Sequence, residues 1–269
     1  MSDLRRGFAL VVTAVALAIA GASPQLLGVE PQSRQNQAGE SDTRTAVEQL
    51  FVLANQARAA QGLPALQWDP SLAQAALRHC QRMSVEGPIS HRYNGELDLT
   101  ERAAQAGAHF SLIEENIAVG AYPSSIHQGL MNSPGHRANL LSRDIDHVGI
   151  AVVPAQGVLF AVTDFSKSVE TLTQAQVEAK VAAMLQRYGL AIASDPREAR
   201  TYCASNGHFN GPDAPHFLMR WQNPDLTVLP DDLVKKASSG DYRRAAVGSC
   251  EPQGLEGTFT AYRLAVLLY

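Results

Sequence analysis

What this chain lacks narrows its function before any motif is read. It has no long run of Lys or Arg and carries a formal net charge of -4, so no nucleic acid or other polyanion is implied as a partner. None of its 3 cysteines lies close to another, which excludes a zinc knuckle. The strained Gly-x-Ser-x-Gly turn that exposes a catalytic serine is absent. No sequence repeat is visible. Charged residues make up 18% and hydrophobic residues 45%, a balance that excludes a chain disordered throughout. After Ala22 no apolar run is long enough to span a bilayer.

The first residues carry an export signal. Arg5-Arg6 is a short positive start, Phe8 to Ala20 is uncharged and apolar, and Ala20-Gly21-Ala22 offers small residues for cleavage. The alternative is an uncleaved anchor. The expected organisation is a signal peptide over 1–22, a flexible leader over 23–42, a first domain over 43–169 and a C-terminal module over 170–269. In an oxidising compartment Cys203 and Cys250 are the natural disulfide pair, leaving Cys80 as a buried apolar residue.

Local patterns place the elements. Asp42 or Thr43 can cap a helix running to Gln61, with Val47, Leu50, Phe51, Ala54 and Ala57 at helical spacing. Asp69-Pro70 restarts a helix that carries Leu72, Ala76, Cys80 and Met83 on one face and stops at Gly87-Pro88. His79 lies at the edge of that face and reads as a core-edge residue. His91 falls in a loop, a short helix follows Thr100, and Glu114 to Val119 is extended. Helices start near Ser124 and at Ser133-Pro134. Val148 to Val152 and Leu159 to Phe165 form a hairpin around Pro154-Gly157. Thr173 and Gln176 make a capping box for a connecting helix over 173–188. Beyond Asp195-Pro196 come turns at Asn206-Gly207-His208 and Phe209-Asn210-Gly211. Short strands (Phe217 to Trp221, Ala245 to Ser249, Phe259 to Leu268) and a short helix over Asp231 to Lys236 complete the chain. Phe217, Trp221 and Tyr262 read as core residues rather than a carbohydrate platform.

The chemistry gathers on His91, Glu115 and His136. Imidazole with carboxylate is equipment for moving a proton or binding a divalent cation. His91 and His136 could each give a nitrogen to Zn²⁺ or another divalent ion, with Glu115 as a third ligand or as the acceptor that orients an imidazole. The plainer reading is a hydrogen-bonded cluster that pins loops to the core, and the two are compatible. Ser133 beside His136 invites a nucleophile, but Ser followed by Pro is more simply a helix start. Arg58 and Arg137 read as anchors of backbone.

The ordered set Asn55-Gln56-Ala57-Arg58, Gly62 to Asp69, His91, Arg102, Gly107, Glu115 to Gly120, Ser133 to Asn139, Val148-Gly149-Ile150 and Phe165 resembles the CAP superfamily. That family takes in cysteine-rich secretory proteins, antigen 5 and pathogenesis-related proteins, and the likeness is to its bacterial SCP-like branch. The resemblance covers Ala46 to Val169 and implies an α+β fold: an α-β-α sandwich, here followed by a smaller, mostly β module. It implies a cleft in which His91, Glu115 and His136 hold the family's positions and Asn116 supports the Glu-Asn motif. The family's second acidic position falls on Ser133 and its usual Trp on Leu130, so the four-residue cleft is incomplete. The implied function is an exported, secreted, periplasmic or surface protein binding a small or extended ligand, lipid among the options. A metal-dependent hydrolase or protease with Glu115 as base is the alternative, and an envelope structural or adhesion protein the second.

Overall fold

The computed structural model describes residues 30–205, 214–253 and 258–269, with side chains from residue 42 onward. The signal peptide, the start of the leader and the turns expected at 206–211 lie outside the described residues. Helix α1 (Glu30–Ala59) begins well before the expected cap at Asp42 or Thr43. The stretch read as a leader carries four Gln and two Glu, which are good helix formers, and Pro31 suits a first turn. Gly62, at φ +66, lets the chain leave the helix.

The first module sandwiches one sheet between helices. Strand β1 (Gln67–Trp68) precedes α2 (Pro70–Glu86), where Asp69 Oδ1 accepts from the N–H groups of Ser71 and Leu72 at 2.7 and 3.3 Å. Helix α3 (Leu99–Gln105) starts at a capping box of Asp98 and Glu101. Then come β2 (Phe110–Gly120), α4 (Pro123–Asn132), α5 (Pro134–Leu140), β3 (His147–Ala155) and β4 (Val158–Ser168). The hairpin turns on Gln156 and Gly157, both at positive φ, the geometry that matches strand twist. The sheet order is β1-β3-β4-β2, with β1 parallel to β3 and the other pairs antiparallel. Alternation along the hairpin sends Val148, Ile150, Val152 and Phe165 toward α1, α4 and α5. It sends Ala151, Phe160 and Val162 toward Ala76, Cys80 and Met83 of α2.

The C-terminal module follows the same path. It comprises α6 (Gln174–Gln186), β5 (Ala191–Ile192), α7 (Arg197–Ala204), β6 (Phe217–Asn223), α8 (Asp231–Ser238), β7 (Arg244–Cys250) and β8 (Tyr262–Leu268). Its sheet order is β5-β7-β8-β6, again with the two-residue strand parallel to its neighbour and the rest antiparallel. Short strand β5 and helix α7 escape the sequence reading. Thr173 and Gln176 close the expected capping box on α6. Phe217, Trp221 and Tyr262 pack on the module's core, as read.

The two modules are therefore one topology used twice, although no repeat is visible in the sequence. The correspondence extends to residues. Asp195 accepts from the Arg197 N–H at 3.0 Å, as Asp69 does from Ser71. Gly149 of β3 and Gly248 of β7 each lie where a Cβ would strike helix backbone: 2.0 Å from Ala73 N in the first case, 2.2 Å from Arg200 N in the second. Close helix-on-strand packing demands Gly at both places. Among the described residues the second copy shows no counterpart of α3 or of one of the α4/α5 pair. Its Cys203 on α7 is bonded to Cys250 on β7, the expected pair, with Cα atoms 5.8 Å apart. Cys80 is free and buried, its thiol donates to the Phe160 carbonyl at 3.2 Å, and burial pushes its pKa up to about 12.

Candidate functional site

Glu115 is the centre of the polar cluster. It projects from β2, is buried, and has both oxygens engaged: Oε1 accepts from His91 Nδ1 at 2.8 Å and Oε2 from Arg102 Nη2 at 2.5 Å. Arg102 comes from α3 and is itself buried, and its Nη1 donates to the carbonyls of His91 and Leu97 at 3.2 Å each. The His91 loop is thus held twice, through its ring by Glu115 and through its backbone by Arg102. A carboxylate between two donors is the arrangement in which a buried charge is tolerated. The His91 side chain remains 59% exposed, and its Nε2 has no protein partner among the described residues.

His136 reaches the cluster through backbone. Asn116 Nδ2 donates to the His136 carbonyl at 2.8 Å, and Asn139 Nδ2 donates to Asn116 Oδ1 at 3.0 Å and to the Glu115 carbonyl at 3.3 Å. These amides fasten α5 to β2. The two imidazoles are displaced in opposite directions. The hydrogen bond to Glu115 holds His91 above the usual imidazole range. Burial first, and then the nearby charge of His91, lower His136.

Two groups that the sequence reading passed over belong to the same cluster. His79, read as a core-edge residue, is fully buried. Its Nδ1 faces Glu96 Oε1 at 2.8 Å and its Nε2 faces the Ser90 carbonyl at 2.9 Å, with Glu115 Oε2 3.9 Å away. Both ring nitrogens therefore face acceptors. Burial works to raise Glu96, but the bonds from His79 and from the Tyr93 N–H outweigh it and leave the carboxyl below its ordinary range. Asp164 lies directly across the β2–β4 ladder from Glu115 and has no exposed surface, and neither of its oxygens has a hydrogen-bond partner. Burial, reinforced by the charge of Glu115, raises it well above the carboxylate range. The one legible signal for Asp164 is an acid between the apolar Val158 to Val162 run and Phe165.

The remaining sequence candidates divide. Arg58 is a backbone anchor as read: it is buried and donates to the carbonyls of Pro64, Leu140 and Ser142 at 2.9, 3.0 and 2.8 Å. Arg137, expected to do the same, is exposed and makes no side-chain bond among the described residues, because Asn139 is the α5 side chain turned toward β2. Ser133 occupies the start of α5, but its hydroxyl makes no capping bond and no bond to a base. Among the described residues no group of three or more His, Cys, Asp and Glu side chains is placed to hold a metal ion. Glu115 is already committed to Arg102 and His91, which leaves two imidazole nitrogens where zinc wants at least three protein ligands. The residues present do not fit a zinc site.

Among the described residues the second copy places different chemistry on the matching rung. The Asp164 position pairs with Gly149 on one side and Glu115 on the other. Around Gly248 the same rung reads Ala265 and then Arg220, and Arg220 donates to the Tyr202 carbonyl.

The family described as "Cysteine-rich secretory protein family" (CAP) matches residues 52–165. Over 126 residues the chain is 29% identical to YlbC of Bacillus subtilis, described as an uncharacterized membrane protein, covering 46% of this chain and 36% of that one. Over 115 residues it is 31% identical to YkwD of the same organism, described as uncharacterized, covering 41% and 44%. The match thus spans less than half the length of these relatives. A solved extracellular protein containing an SCP domain from Bacillus anthracis is 28% identical, with a TM-score of 0.46, covering 49% of this chain and 43% of that one. Taken with the His91, Glu115 and His136 motifs in their order on the sandwich, the family match makes residues 52–165 a CAP domain.

Proposed function

We propose that this is an exported binding protein of the cell surface or medium. Its CAP cleft grips a polar group of a small or extended ligand between His91 and His136. The observation that carries the reading is the fixed His91–Glu115 pair. Glu115 accepts a hydrogen bond from His91 Nδ1 and so turns Nε2 outward. The two imidazoles are shifted in opposite directions, which favours a donor on His91 and an acceptor on His136. A ligand with a hydroxyl or carboxyl group meets both needs. Export is supported by the Arg5 to Ala22 signal, and no described helix is long and apolar enough to cross a membrane.

Hydrolysis with Glu115 as base is the weaker reading, since both oxygens of Glu115 are occupied and no nucleophile is bonded to His91. The test is a ligand-observed NMR screen of lipids, glycans and peptides against wild type and the His91→Ala, His136→Ala double variant. Ligands of the cleft should lose binding in the variant. A screen in which every hit binds both proteins equally would overturn the proposal.

A further inference from the structure

We infer a second ligand site in the groove between the two copies, one that takes an organic anion with an apolar body. The groove encloses about 800 Å³, within the range of small-molecule sites. One wall is the outer face of α6, where Lys180, Ala183, Met184 and Arg187 follow one another at helical spacing. The opposite wall is the end of the CAP sheet at Ser111, Lys167 and Ser168. Val169 and Leu172 of the connecting segment, with Leu226, form an apolar floor. Neither copy alone has both walls, so a single CAP domain has no such groove.

The charges on the rim decide the occupant. Lys167 is bonded to Asp146 at 2.8 Å and Lys180 to Glu170 at 2.5 Å. Asp225 makes no ion pair among the described residues; its carboxylate accepts from the Thr227 N–H at 2.7 Å and feels the charge of Lys167. Among the described residues Arg187 is the basic group of the groove with no ion pair or hydrogen bond from its side chain. An unneutralised guanidinium next to an apolar floor favours a carboxylate or phosphate head, which it can bind through two parallel hydrogen bonds. The body of the ligand then lies over Ala183, Met184 and Leu172. A cationic or purely polar ligand would leave one half of this pattern unmet.

Dodecanoate, dodecyltrimethylammonium and acetate separate the contributions of tail and head, and calorimetry on the full exported chain reads each. Dodecanoate should bind, and the other two should not. Ala183 on α6 and Arg187 at its C-cap are both exposed, so Arg187→Glu and Ala183→Trp leave the core untouched. The first should weaken dodecanoate about tenfold or more, the scale of a lost charged hydrogen bond. The second should block the groove. Arg187→Glu should leave the ligands of the CAP cleft bound as in wild type, which keeps this site distinct from the cleft. The inference is overturned if wild type does not bind dodecanoate, if the ammonium analogue binds as well, if either groove variant binds dodecanoate like wild type, or if Arg187→Glu also weakens the cleft ligands.

Discussion

Glu115 and Asp164 face each other across one rung of the sheet, yet replacing each by its amide should move stability in opposite directions. Glu115 accepts from Arg102 and His91. In Glu115→Gln the amide can serve only one of these donors and turns its own N–H toward the other. Stranding one member of a buried ion pair costs about 3–5 kcal/mol, and the bond that Gln retains places this variant near the lower end. Asp164 is different because it enters the fold with its proton. Above about pH 4 an unfolded Asp releases that proton, while the folded protein keeps it until the raised pKa is reached. The folded state then holds more protons than the unfolded state, so stability falls as pH rises, by about 1.4 kcal/mol per pH unit across that window. Asn has the same shape and no proton to hold, so Asp164→Asn removes the slope. It should match wild type near pH 4 and exceed it increasingly toward pH 7. Urea unfolding at about pH 4, 5.5 and 7, compared by midpoint at constant m, reads both effects. If Asp164→Asn is as damaging as Glu115→Gln at neutral pH, or if its difference from wild type does not change with pH, Asp164 is ionised and the reasoning fails.

Three further outcomes are expected. Histidine titration by NMR should place His91 above and His136 below the ordinary value of about 6.5. The His91 contribution to stability is then lost as pH rises through its folded pKa and the His136 contribution as pH falls through its own, and Glu115→Gln should bring His91 back while a merely structural role would leave it unmoved. Cys203→Ser with Cys250→Ser should cost about 2–4 kcal/mol by chemical denaturation, and Cys80 should resist alkylation in the native protein; ready labelling of Cys80 would contradict its burial. Gly149→Ala should cost about 3 kcal/mol or more, because the new methyl meets α2 backbone rather than a movable side chain. Gly129→Ala on α4, where the added carbon meets open space, should instead be neutral or stabilising, and equal thermal melts for the two would refute the packing argument.

Where a residue type imposes its own geometry, the sequence was readable. Asp69-Pro70 could only start a helix, Thr173 and Gln176 could only cap one, and Gln156-Gly157 between alternating runs marked a hairpin. The His91, Glu115 and His136 positions were readable because the family motifs carry them. Side-chain partners were not. Arg102 appeared in the matched text without a role, since its meaning depends on α3 packing over β2. His79 reads as one more edge residue until the loop carrying Glu96 folds across it. Asp164 looks like one of several polar residues toward the end of a strand. The helical start of α1 was hidden because Gln, Ser and Gly are shared by leaders and by solvent-exposed helix faces. The repeat was hidden because what the copies share is short, Asp-Pro before a helix and Val-Gly in a strand, and such pairs carry weight only when the topology aligns them.

Aligned on Gly149 and Gly248, the second copy's Cys203 and Cys250 fall where the first copy has Ala76 and Ala151, two buried residues of one apolar cluster. The same helix-to-sheet contact is thus held by methyl packing in one copy and by a covalent bond in the other. Among the described residues the bonded copy has fewer helices over its sheet, and a cross-link matters most where less is buried. A reducing compartment therefore acts on the two halves unequally: the cleft-bearing copy is indifferent to redox state, and the copy without a cleft reaches full stability only once oxidised. The groove between them inherits that dependence through α6, so its ligand should be held by the oxidised chain and released when the bond is reduced.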